Sequence, residues 1–155
     1  MKLIPTSSQT VGPFFSIGLA PLCQDAEAML AALPDSTTLR GVVLDGNRSP
    51  IPDCVLEFFA ANFFARVATS IDGKYRVTIP STANMCEVLV FMRGLLKPTL
   101  TRIYFQEAAM RGDLALRNVP GDRMATLVAR RVSGHDQSEW NVVMQGENET
   151  VFFEL

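Results

Sequence analysis

The run Thr38-Leu39-Arg40-Gly41-Val42-Val43-Leu44, closed by Asp45-Gly46-Asn47, sets the pattern for most of the chain. Seven residues rich in β-branched and aliphatic side chains end at a turn where Gly supplies backbone freedom, which reads as a strand leaving a tight bend. Similar runs recur at 54–60, 65–70, 74–79, 86–92, 100–105, 125–131 and 139–145, with a possible last strand at 150–153. Asp72-Gly73 sits between two of them and predicts a hairpin, Arg66–Ser70 pairing with Lys74–Thr78. Short strands separated by turns imply a sandwich or barrel rather than alternating strands and helices. Helix is expected at Asp25–Leu33, a run of strong helix formers with acids in its first turn that stops before Pro34, and as single turns at 107–111 and 113–118. The expected fold is therefore all-β: one β-sandwich domain of about eight strands over residues 1–155, with an arm and helix at 1–37, the sandwich at 38–155, and one or two short helices.

Composition narrows the function classes. With 155 residues and 48% hydrophobic content, the chain is long enough to fold around one core without disulfides. Cys23, Cys54 and Cys86 are odd in number and far apart, with no CxxC pair, so a reducing cytoplasm is the simplest setting. Pro5 and the polar run Thr6–Thr10 interrupt the N-terminus before a signal-peptide core can form, and no apolar stretch reaches the roughly 18 residues of a membrane helix. Neither membrane nor nucleic acid is an expected partner, since net charge is −2 and the longest basic cluster is Arg130-Arg131.

Residues 6–19 are too polar for a buried strand and too apolar for a free tail. Gly12-Pro13 forces a bend, and Phe14 and Phe15 need a surface to bury against, whether the chain's own body or a partner. The stretch Ser8-Gln9-Thr10-Val11-Gly12-Pro13-Phe14-Phe15, followed by Ile17-Gly18-Leu19, resembles the N-terminal motif of an intradiol ring-cleaving family, the protocatechuate 3,4-dioxygenase subunits, and most of all their α type. Further blocks agree in order: Gly41–Gly46, Val90–Gly94, Thr101–Phe105, Arg123–Arg130 and Gln145–Glu154, the last being the most specific.

The resemblance implies a definite division of labour. In the family, a catalytic β chain holds Fe(III) through two tyrosines and two histidines, and cleaves protocatechuate between its hydroxyl-bearing carbons with O2 in aromatic catabolism. The α chain shares the sandwich, binds no cofactor, and completes the pocket for the aromatic acid at the shared interface. By resemblance, Thr10, Gly12, Pro13, Phe14 and Arg93 would be contributed to the partner's site. Met85 and Glu87 stand where the histidine ligands would be, so no metal is expected in this chain. Many α chains carry tyrosine at the position of Phe14, so one phenol contact is lost here. The connections between Asn62 and Phe64 and between Ile79 and Asn84 are also far shorter than the family's, and in catalytic chains those loops carry the tyrosines.

Other readings stay open. An orphaned, iron-free binding module would explain the short loops, and an unrelated acid/base chemistry would draw on Arg93, Glu87 and Tyr75. Arg93, at the end of an apolar strand, must face a cavity or pair with Glu57 or Glu87. Cys86 and Glu87 should point to opposite faces of their strand. His135, in the polar turn Ser133–Gln137, reads as a solvated loop residue, and Tyr75 and Tyr104 as ordinary strand aromatics.

Overall fold

Alternation decides which way each strand faces. Along the first strand, β1 (Ser36–Leu44), Leu39 and Val43 are fully buried while Arg40 between them is exposed. The fourth strand, β4 (Lys74–Pro80), buries Tyr75, Val77 and Ile79 and exposes Lys74 and Arg76. The two pair antiparallel with Leu39 opposite Val77 and Gly41 opposite Tyr75, so their apolar sides form one inner face. This computed structural model describes residues 10, 12, 14–23, 33, 35–133 and 136–154.

Two sheets pack through such faces. The first has the order β4-β1-β8-β7, where β7 is Arg130–Arg131 and β8 is Gln137–Glu139, and β9 (Val142–Val143) also pairs with β1. The second has the order β3-β2-β5-β6, built from β2 (Val55–Ala60), β3 (Phe63–Ala68), β5 (Met85–Phe91) and β6 (Thr99–Tyr104), all antiparallel. Leu39, Val43, Tyr75 and Val77 from one sheet meet Leu56, Phe58, Val88 and Val90 from the other in the main core. A smaller cluster of Tyr104, Leu116 and Leu127 lies on the opposite side of the second sheet, under the 3₁₀ turns that follow β6.

The β-sandwich is as expected, with differences in detail. The Asp72-Gly73 turn forms, with Gly73 at φ +67°, but it closes no hairpin, because β3 pairs with β2 and β4 with β1. Gly73 donates the reason: its carbonyl accepts from the Val43 N–H at 2.9 Å, and a side chain there would meet Pro50, Ile51 and Val43, so the turn docks on β1 and hands β4 to the first sheet. The strand expected at 125–131 is a 3₁₀ segment, Gly121–Leu127, ahead of the two-residue β7. Pro120-Gly121 starts it, and Thr126 returns its hydroxyl to the Arg123 carbonyl at 2.8 Å. The strand expected at 139–145 is split into β8 and β9 at Trp140-Asn141, where the Asn141 side chain takes the Val42 N–H at 3.0 Å. At 150–153 only the single bridge Leu100 to Phe153 forms.

The expected turns at 107–111 and 113–118 appear as 3₁₀ segments Glu107–Met110 and Leu114–Leu116. The Asp25–Leu33 helix falls almost wholly outside the described residues. The arm is less irregular than expected, since Phe14–Leu19 forms a short helix, α1, that runs into a 3₁₀ turn, Ala20–Leu22.

Candidate functional site

Among the described residues, the outer face of the second sheet holds three of the five ion pairs. On β5, Cys86, Val88 and Val90 point into the core, so Met85, Glu87 and Leu89 point out, and Cys86 and Glu87 do lie on opposite faces. Register then places Glu87 opposite Arg102 and Met85 opposite Tyr104. Arg102 donates through Nη2 to Glu87 Oε1 at 2.8 Å, and through Nη1 to both oxygens of Asp113 at 2.9 and 2.8 Å. Tyr104 donates its hydroxyl to Asp113 Oδ2 at 2.6 Å, and the Ala115 N–H donates to Oδ1 at 2.9 Å, so Asp113 also caps the turn Leu114–Leu116. Phe153 lies under the Arg102 guanidinium, 5.7 Å from ring centre to Cζ.

Each ionisation state follows from these contacts. Burial pushes the Asp113 carboxyl up, but the hydrogen bonds from Tyr104, the Ala115 N–H and Arg102 outweigh it and hold the group below its ordinary value. Burial, reinforced by the bond to Asp113, raises the Tyr104 phenol to about 12. For Arg102, burial would lower the pKa, yet bonds to Tyr104, Asp113 and Glu87 raise it. All three groups are thus fixed in their ordinary charge states across the neutral range.

A second pair sits on the same face. Arg66 Nε donates to Glu57 Oε1 at 2.7 Å, and its guanidinium lies 5.4 Å from the Phe64 ring, which in turn packs on Phe59. Cys23 at the end of the arm feels this pair: burial raises its thiol pKa, Arg66 opposes the rise and Glu57 adds to it.

The residues singled out in the sequence divide sharply. Thr10, Gly12 and Phe14 are exposed, Phe14 at 78%, and α1 buries none of its residues; Pro13 lies outside the described residues. Of the two phenylalanines, Phe15 is half-buried within this chain and Phe14 is not. Arg93 is exposed in the turn after β5, ahead of Gly94 at φ +91°. Of its two alternatives, pairing with Glu57 or Glu87 is overturned, because Arg66 and Arg102 occupy those carboxylates. The acid/base trio of Arg93, Glu87 and Tyr75 is not assembled either: Tyr75 is buried in the core, donating its hydroxyl to the Trp140 carbonyl at 2.7 Å, while Glu87 faces outward from the other sheet. His135 lies outside the described residues. Arg102, Tyr104 and Asp113 are the residues that sequence reading missed. Alternation on β6, and an aspartate just before the apolar Leu114-Ala115-Leu116, were the signals available.

The two packed sheets share the β-sandwich fold of solved intradiol dioxygenases. Hydroxyquinol 1,2-dioxygenase from Pseudomonas putida DLL-E4 matches with a TM-score of 0.54 over 72% of this chain and 57% of that one, at 14% identity, a likeness of fold. No protein-family model matches the chain. In sequence it is 34% identical, over 191 aligned positions and 97% of both chains, to the protocatechuate 3,4-dioxygenase alpha chain of Burkholderia cepacia. It is 31% identical to the protein of the same name from Pseudomonas putida, over all of this chain and 99% of that one. The chain belongs to the protocatechuate 3,4-dioxygenase alpha-chain family. An alignment of 191 positions exceeds the 155 residues present, so the relative carries residues this chain lacks. Two connections in this chain are short, two residues from β2 to β3 and four from β4 to β5.

The family is iron-dependent, and the residues at the β5 face do not fit an iron ion. Met85 offers only a thioether, Glu87 is held by Arg102, and the Tyr104 phenol is protonated and bonded to Asp113. Among the described residues, no three His, Cys, Asp or Glu side chains gather around a common point. None of the described helices is long and apolar enough to cross a membrane.

Proposed function

We propose that this chain is a non-catalytic α-type subunit, pairing in the cytoplasm with an iron-bearing β chain that cleaves protocatechuate between its two hydroxyl-bearing carbons with O2. The observation that carries this reading is the network at Glu87, Arg102, Asp113 and Tyr104, which fills the face where an intradiol site would need open ligands. Both of its carboxylates are held by Arg102, so neither stands as an open ligand for iron. The arm supports the partnership. Phe14 and Ile17 expose 78% and 67% of their surface on a helix with no fully buried residue, as an element with a further surface to cover would. Thr10, Gly12, Pro13 and Phe14 would line the neighbouring pocket. Arg93, exposed and in no ion pair among the described residues, would offer its guanidinium fork to the carboxylate of the aromatic acid.

A second reading rests on the two short connections, which fit a free-standing, iron-free module that has lost the family's loops. Co-expression with a β chain separates the two. The partnership predicts a co-purifying complex that contains iron and consumes O2 with protocatechuate, and Arg93→Ala raises its KM while altering the chain's own stability by less than about 0.5 kcal/mol. A chain that stays monodisperse without associating supports the module instead. Tight iron binding by the chain alone overturns both.

A further inference from the structure

The outer face of the first sheet carries a charge arrangement that folding alone does not explain. Arg40 on β1 and Arg76 on β4 stand directly opposite each other, and like charges in that position destabilise a sheet. Lys74, two residues before Arg76, lies on the same face, opposite Val42. One carboxylate answers this cluster, that of Glu139 on β8. Its Oε1 accepts from Arg40 at 3.1 and 2.7 Å and its Oε2 from Arg130 at 2.6 Å, so both oxygens are committed. Arg130 and then Arg40 hold that carboxyl below its ordinary value. Among the described residues, the Lys74 and Arg76 side chains have no ion pair, and both are exposed. A chain of net charge −2 therefore concentrates four cations around one satisfied acid.

The cluster surrounds a groove of about 510 Å³, a size that small-molecule sites commonly have. Val42 gives it an apolar wall, and Asn141 lines it while spending its side-chain carbonyl on the Val42 N–H, which leaves the amide NH2 as a donor. The required ligand neutralises two or three cations at once, accepts hydrogen bonds from guanidinium and amide, and has a carbon skeleton to rest on Val42. We infer that this groove binds a small polycarboxylate through Lys74, Arg76 and Asn141, with Arg40 as the flanking charge. Neither the arm nor the β5 face takes part, so the inference stands apart from the proposed partnership.

Calorimetric titration of the full chain with citrate, at ionic strength held constant with sodium chloride, tests it. Saturable binding at one site per chain is expected, weakened about tenfold or more in Lys74→Gln/Arg76→Gln, the loss of one charge-assisted hydrogen bond or more. Lys97→Gln, which alters an exposed cation elsewhere, should bind as the unaltered chain does. Because Arg76 opposes Arg40, Arg76→Gln should also raise the thermal midpoint of ligand-free protein by about 1–3 °C, so the weaker binding cannot be put down to misfolding. Absence of saturable binding, equal binding by the double variant, or equal binding of acetate overturns the inference. Tighter binding of pyrophosphate than of citrate overturns the assignment to a polycarboxylate.

Discussion

Asp113→Ala removes the group on which three elements converge, and its cost can be worked from the contacts. The carboxylate accepts from Arg102, Tyr104 and the Ala115 N–H, and its side chain is 18% exposed. Loss of the cap at the turn Leu114–Leu116 costs about 1 kcal/mol. The Tyr104 hydroxyl, on a fully buried residue, then has no acceptor, which adds about 1–3 kcal/mol. Arg102 keeps Glu87, so the total should stay below the 3–5 kcal/mol or so of a fully broken buried pair, at about 2–4 kcal/mol. Urea unfolding followed by the fluorescence of Trp140, the one tryptophan in the chain, measures this as a shift in midpoint at constant slope. Adding Tyr104→Phe should cost less in the Asp113→Ala background than alone, because the orphaned hydroxyl goes with it. Acid should act in the same direction. The folded-state pKa of Asp113 is depressed, so its contribution is complete above the unfolded value, near 3.8, and is lost as pH falls through the folded value. The variant should show a flatter stability profile below about pH 4 than the unaltered chain. A loss under about 0.5 kcal/mol, typical of a surface change, would refute the network as an organising element.

Gly41→Ala should be among the most damaging single methyl additions in the chain. The new Cβ would overlap the Trp140 carbonyl oxygen and come within 2.9 Å of the Tyr75 ring, breaking the bond between them at a cost of about 3 kcal/mol, visible as a shifted Trp140 emission and a lowered urea midpoint. Thiol reactivity should be ordered. Burial raises Cys54 and Cys86 to about 12 and leaves both fully covered, so an aromatic disulfide reagent at mild alkaline pH should modify Cys23 first, more slowly than a free thiol, and reach the other two only on unfolding.

The sandwich was legible because its signals are local. Leu39 and Val77 each stand between polar neighbours, Thr38 and Arg40 or Arg76 and Thr78, and a period of two fixes an inner face whatever strand lies alongside. The same rule sent Cys86 and Glu87 to opposite faces. Partner choice was not legible in this way. The Asp72-Gly73 turn reads as a hairpin from its residues, yet the hydrogen bond from Val43 to Gly73 gives β4 to the first sheet. Likewise, the glutamates offered to Arg93 were claimed by Arg66 and Arg102, which lie across from them only once register is set.

By itself, then, the sequence determined an all-β chain, because alternation and turn residues carry that without reference to distance, and the blocks that resemble the family marked Met85 and Glu87 as standing where its histidines would be. Tertiary structure decided what stands in that place. Register put Arg102 beside Glu87 and Tyr104 beside Met85, and the excursion after β6 brought Asp113 back onto both. Ion pairs form between neighbours in space, and strands that are far apart in sequence become neighbours only when the core chooses which edges meet.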